Sequence, residues 1–152
     1  MVDIFCKIYY ICNGDDSMLL TRECDYGIRI IRALSSGEKT TAEEICAAEN
    51  IPGQFAYKIL KKLERAGYLM SSRGREGGYW LIKPLSEISI YDVVSSIDEN
   101  LFVNECLRDD RPCVRNLEDK PCSVHVELKR IQDVLMEELR RSTINNIVAV
   151  ND

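Results

Sequence analysis

The sequence predicts a mostly α-helical chain carrying one small β-hairpin, and three observations predict it. Apolar residues recur at helical spacing in several segments, each stopped by Gly, Pro, Ser or Asn. The stretch Arg73-Gly74-Arg75-Glu76-Gly77-Gly78 separates two short apolar runs, Tyr68-Leu69-Met70 and Tyr79-Trp80-Leu81-Ile82, as the tip of a hairpin would. Near the C-terminus, Val124, Leu128, Ile131, Leu135 and Leu139 are spaced four, three, four and four residues apart, close to a heptad seam.

The elements follow in order. Residues 1–17 show no clean period, Asn13-Gly14-Asp15-Asp16-Ser17 reads as a loop, and Cys6 and Cys12 carry no assigned role. The first helix is expected near Thr21, with Tyr26, Ile30, Ala33 and Leu34 on its inner face and a stop at Ser35-Ser36-Gly37. In "TTAEEICAAEN", Thr41 and Glu44 match a capping box, Ile45 and Ala48 are expected to face inward, and Asn50 closes the segment. Pro52 suits the first position of a third helix, where its missing N–H costs nothing. That helix buries Phe55, Ile59, Leu60 and Leu63, turns Gln54, Tyr57, Lys58, Lys61 and Arg65 the other way, and ends at Gly67. After the hairpin and Pro84, Ser89 caps a short helix whose apolar set is Ile90, Val93, Val94 and Ile97. A cysteine-bearing loop follows, then a long helix from about Ser123. Val134 and Met136 widen its stripe. The tail is weakly patterned, with Ile144, Ile147 and Val148 able to dock.

Length and composition bound the function. The chain has 152 residues, 45% hydrophobic and 30% charged, which suits one globular domain or a small domain with an appended helix. No run of about 18 apolar residues occurs and the start lacks a cleavage pattern, so no membrane span and a cytoplasmic location are expected. The net charge is −5. Even so, Lys58, Lys61, Lys62, Arg65, Arg73 and Arg75 face a single acid, Glu64, between Gly53 and Arg75. Positive charge is thus concentrated on the third helix and hairpin tip of an acidic protein. Three helices and a hairpin in this order form a winged helix-turn-helix, which would place the third helix in a major groove and the wing on the flanking backbone. Gln54 and Tyr57 stand where side chains reach base edges, and Arg73 and Arg75 flank glycines at the tip. The candidate DNA-contacting residues are Thr41, Gln54, Tyr57, Lys58, Lys61, Arg73, Gly74, Arg75, Gly78 and Tyr79. No nucleophile–base pair lies outside the cysteine loop and there is no phosphate loop, so no enzyme is expected.

Seven cysteines are an odd number for a disulfide framework, and Cys24 and Cys46 read as small buried hydrophobes. The segment "CLRDDRPCVRNLEDKPCSVH" differs. Six residues separate Cys106 from Cys113, eight separate Cys113 from Cys122, and two separate Cys122 from the chain's only histidine, His125. Three thiolates and an imidazole form a four-ligand set for an iron–sulfur cluster or zinc. A reversible disulfide switch is the other reading. Pro112 and Pro121 each precede a cysteine and stiffen the loop, whereas Arg108, Asp109, Asp110 and Arg111 mark it as solvent-facing.

The wing "RGREGGYWL" after "KILKKLERAGYL" resembles that of the IscR/NsrR/CymR-type bacterial regulators, whose Arg-Gly-x-x-Gly-Gly-Tyr-x-Leu pattern is matched by Arg73, Gly74, Gly77, Gly78, Tyr79 and Leu81. The resemblance runs from about Met18 to Ile147 and includes "LLTRECDYGIRI" as the first helix. Residues 1–17 and the acid Glu76 in the wing depart from the pattern. The resemblance implies a homodimeric regulator, a repressor by expectation, with crossing C-terminal helices and a palindromic double-stranded DNA operator. It favours an iron–sulfur cluster over zinc, sensing cluster status, nitric oxide or redox state. Cys106, Cys113 and Cys122 are the implied ligands. His125 as the fourth implies a 2Fe–2S cluster, the favoured form, and Asp25, from the other subunit, a 4Fe–4S cluster. A cluster-free thiol-, metabolite-responsive or zinc-stabilised regulator of the same fold is the alternative. The expected organisation is an N-terminal extension at 1–17, the winged domain at 18–98, a cluster-binding loop at 99–122 and a dimerisation helix with tail at 123–152.

Overall fold

The computed structural model describes residues 20–108, 110, 113 and 115–149. The N-terminal extension with Cys6 and Cys12, and Asp109, Arg111 and Pro112 of the loop, lie outside the described residues. Within them the chain is mostly helical with one two-stranded antiparallel hairpin, the expected class. The helices are α1 (Arg22–Ala33), α2 (Ala42–Glu49), α3 (Gly53–Arg65), α4 (Ile90–Ile97), α5 (Ser123–Arg141) and α6 (Ile144–Val148). The strands β1 (Leu69–Ser72) and β2 (Gly78–Leu81) lie between α3 and α4, and short 3-10 turns cover Leu85–Glu87 and Glu105–Leu107.

Local chemistry sets the element ends. Thr21 caps α1, and capping boxes Thr41/Glu44 and Ser89/Asp92 start α2 and α4. Pro52 is the N-cap of α3 rather than its first turn, so the helix begins one residue later than its proline suggests. At the other end the Gly67 and Tyr68 N–H groups return to the carbonyls of Glu64 and Leu63, the paired bonds of a Schellman stop.

Packing then assembles the head. Ile30, Ile31, Leu34, Ile45, Ile59, Leu60, Leu63, Val93 and Val94 are fully buried in one core shared by α1 to α4. Ala48, expected inside, is exposed. Glu49 is buried instead, because the Arg32 guanidinium reaches from α1 and grips its carboxylate with two hydrogen bonds. A charged pair thus replaces an apolar contact between the first two helices.

The C-terminal part folds back onto this head. The tail, weakly patterned in sequence, is ordered by backbone pairing: the Ile144 N–H donates to the Ile88 carbonyl at 2.9 Å and the Ile90 N–H to the Ser142 carbonyl at 2.8 Å. Ile144 is fully buried and α6 packs on α1. The stripe of α5 divides. Met136 and Leu139 are buried against the head, whereas Val124, Ile131 and Val134 stay exposed on another flank. Val134 and Met136, read as widening one stripe, therefore belong to different faces.

Candidate nucleic-acid interface and cysteine cleft

The third helix and the wing form one exposed face. Gln54, Tyr57, Lys58, Lys61 and Arg65 of α3 are all exposed, as are Arg73, Gly74, Arg75 and Glu76 at the hairpin tip. The strand register runs from Leu69 opposite Leu81 at the base to Ser72 opposite Gly78 beside the tip. A backbone bridge between Thr40 and Tyr79, with N–H···O distances of 3.0 and 2.8 Å, ties the wing to the start of α2.

Several residues expected to contact DNA have other work. Gly78 is buried, and a Cβ there would lie 2.9 Å from the Thr40 carbonyl oxygen. A Cβ at Gly77 would lie 2.6 Å from the Ser72 carbonyl oxygen. Gly77 thus allows close backbone approach within the wing tip, and Gly78 between the wing and the chain that leads into α2. Tyr79 is half-buried and packs on the core, and burial pushes its phenol up. The Thr41 hydroxyl and N–H are engaged with Glu44 in the capping box. Lys58 reaches sideways to Glu23 of α1 at 2.6 Å, and Lys62 lies 3.4 Å from the same carboxylate. Burial opposes ionisation of Glu23, but the two ammonium groups outweigh it and hold the carboxyl below its ordinary value. Lys62 also donates to the Ile97 carbonyl at 2.6 Å, at the C-terminal end of α4, where the helix dipole favours a cation.

A cleft of about 880 Å³ opens between α4, the loop after it and α5. Cys106, Cys113 and His125 all line it, with Asn116, Arg108 and Lys129. Cys122 lies outside the lining, at the cap position of α5. Cys106, Cys113 and Cys122 are free and half-buried. His125 Nδ1 is buried and has no hydrogen-bond partner; among the described residues only Ser72 Oγ shares that condition. Buried polar atoms are nearly always satisfied, so this nitrogen stands out among the residues around the cleft. Among the described residues no three His, Cys, Asp or Glu side chains are grouped to hold an ion. Asp25 is exposed on the first turn of α1, pairs with Arg29 at 3.0 Å, and does not line the cleft. Cys24 is buried and Cys46 half-buried, and desolvation raises both thiols.

Two polar residues that belong to no sequence motif, Asn116 and Gln132, organise this region. The Asn116 side chain accepts from the Cys122 N–H at 3.0 Å while its own N–H donates to the Cys113 carbonyl at 2.9 Å, joining two cysteines of the loop. Gln132 of α5 donates from Nε2 to the Leu101 carbonyl at 2.5 Å and accepts from the Val103 N–H at 2.7 Å, clamping the strand of chain that leads to Cys106. The available signal was positional: Gln132 sits four residues from both Leu128 and Met136, a polar side chain in an inward-facing register.

Comparison with known proteins places this arrangement. Residues 20–150 match the Rrf2 family, described as iron-dependent transcriptional regulators. Protein aau3 of Rhizobium meliloti is 32% identical over 136 residues, 86% of this chain and 85% of that protein. The HTH-type transcriptional regulator NsrR of Geobacillus kaustophilus is 39% identical over 92 residues, 59% of this chain and 63% of that protein. Among solved structures, the oxidized form of Staphylococcus aureus CymR superposes with a TM-score of 0.67 at 21% identity, over 86% of this chain and 96% of that one. IscR of T. potens does so with a TM-score of 0.68 at 15% identity, over 87% of each chain. The reading head, the wing and the family match agree: this chain is a DNA-binding transcriptional regulator of the Rrf2 family.

Proposed function

We propose that this regulator acts in the cytoplasm as a homodimeric repressor on a palindromic operator, and that an iron–sulfur cluster at the cysteine cleft controls its DNA binding. The supporting observation is that Cys106, Cys113 and His125 line one cleft, with His125 Nδ1 buried and without a hydrogen-bond partner. Cys106, Cys113, Cys122 and His125 would hold a 2Fe–2S cluster, and Asp25 of a second subunit in place of His125 would complete a 4Fe–4S one. When bound, such a cluster supplies a redox- and nitric-oxide-sensitive tie. The chain's own residues do the rest. Asn116 holds the loop ends together, and Gln132 fastens the incoming chain to α5. The exposed Val124, Ile131 and Val134 offer the apolar flank on which the second long helix would pack. Release of residues 106–125 would alter how α5 holds the two reading heads, and half-site spacing is sensitive to small rotations.

A second reading rests on the same cysteines. They are free, half-buried thiols on one loop, which suits a reversible disulfide switch. Anaerobic isolation separates the two. A brown protein whose visible absorption bleaches with oxygen or nitric oxide supports the cluster, and Mössbauer spectra of wild type, His125→Ala and Asp25→Ala identify its type and fourth ligand. A colourless, iron-free protein whose operator binding still depends on thiol oxidation, and loses that dependence in Cys106→Ser or Cys113→Ser, supports the switch and sinks the cluster.

A further inference from the structure

Tyr57 projects from the front of α3 and is 52% exposed. Its hydroxyl donates to Oε1 of Glu43 at 2.7 Å, and Glu43 stands in the first turn of α2, where the helix dipole favours its charge. Their hydrogen bond holds the Glu43 carboxyl below its ordinary value and pushes the Tyr57 phenol up, so the tyrosine keeps its proton and the glutamate stays ionised. The one hydroxyl proton is thereby committed within the pair. What remains for a ligand is the phenolic oxygen's lone pairs and those left on the carboxylate, all acceptors.

An acceptor unit on a reading head discriminates among bases. Guanine offers O6 and N7 in the major groove and thymine offers O4, so each would oppose acceptor with acceptor. Adenine offers an N6 amino group beside the N7 acceptor, and cytosine offers its N4 amino group without one. We propose that Glu43 and Tyr57 form a single acceptor unit that selects a base whose amino group faces the major groove in each operator half-site, cytosine first. Tyr57 makes the contact, and Glu43 is a positioning residue that takes up the hydroxyl proton and fixes its direction. The proposal rests on α3 being the groove-reading helix, as the proposed function has it.

The test is selection of duplexes from a random-sequence pool by the full-length protein, followed by titration of the selected site with cytosine·guanine exchanged for thymine·adenine at each position. Wild type should lose about tenfold in affinity at one position per half-site. Tyr57→Phe should lose that preference. Glu43→Ala frees the hydroxyl to donate, so its selected site should shift at the same position toward thymine or guanine. Both side chains are exposed, and unchanged thermal midpoints will show that the variants fold. If both variants select the wild-type sequence while Gln54→Ala and Lys61→Ala weaken binding, the acceptor unit is wrong and the reading helix stands. If Gln54→Ala and Lys61→Ala also leave binding untouched, α3 does not read DNA, and the proposed function falls with the inference.

Discussion

Replacing Gln132 by Leu should release the chain that leads into the cysteine loop while leaving α5 itself helical, because leucine and glutamine have similar helix propensities. Two neutral hydrogen bonds are lost, at 2.5 Å to the Leu101 carbonyl and 2.7 Å from the Val103 N–H. At about 1 kcal/mol each, the minimum cost is about 2 kcal/mol, and it rises by roughly 1–3 kcal/mol if a buried partner is left unsatisfied. Leu101 is 7% exposed, so its carbonyl has little recourse to water. If the segment is part of the cooperative unit, a domain of this size should melt roughly 4–8 °C lower. If it opens locally, exchange of the Val103 amide should accelerate about thirtyfold with little change in midpoint. Hydrogen exchange by mass spectrometry, together with thermal unfolding, distinguishes these. Cys106, three residues beyond Val103, should also alkylate faster. Gln132→Glu should not rescue, since it keeps an acceptor for Val103 but turns carboxylate oxygen toward the Leu101 carbonyl. Unchanged Val103 protection, with a midpoint within about 1 °C of wild type, would refute the clamp.

Three further outcomes are expected. The Glu23 carboxyl is held below its ordinary value, so its contribution to stability is complete above the ordinary glutamate range and lost as pH falls through the lowered value; urea unfolding followed from about pH 5 down to pH 3 should show Glu23→Gln falling less steeply than wild type. Gly78→Ala puts a Cβ 2.9 Å from the Thr40 carbonyl, so the wing should shift off α2. That variant should cost about 1–3 kcal/mol in urea unfolding and weaken DNA binding, whereas Gly53→Ala, with open space at its Cβ, should not. Arg73→Ala and Lys61→Ala should each lower the slope of log affinity against log salt by about 1, in titrations at several salt concentrations, while Lys58→Ala, whose ammonium is held by Glu23, should lower it less.

What the sequence determined by itself is what local rules control. Helical spacing, the Thr41/Glu44 box, the cap at Ser89 and the Gly67 stop place α1 to α4 because each depends on residues within a turn or two of one another. The hairpin was legible for the same reason, as were the basic third helix and the cysteine spacing before His125. Tertiary structure decided what depends on partners distant along the chain. Glu49 went inside because Arg32 met it, seventeen residues away, and Lys58 gained an ion-pair partner in Glu23, thirty-five residues upstream. Gly78 became an internal spacer because Thr40 crossed beneath the wing, and the tail became ordered because Ile88 and Ile90 offered it backbone partners. Only the folded chain brought Cys106, Cys113 and His125 to one cleft and left Val124 and Ile131 uncovered on another flank of the same helix. Periodicity ranks the apolar positions of a helix but does not say which neighbour each flank will meet, and that pairing is a property of the whole fold.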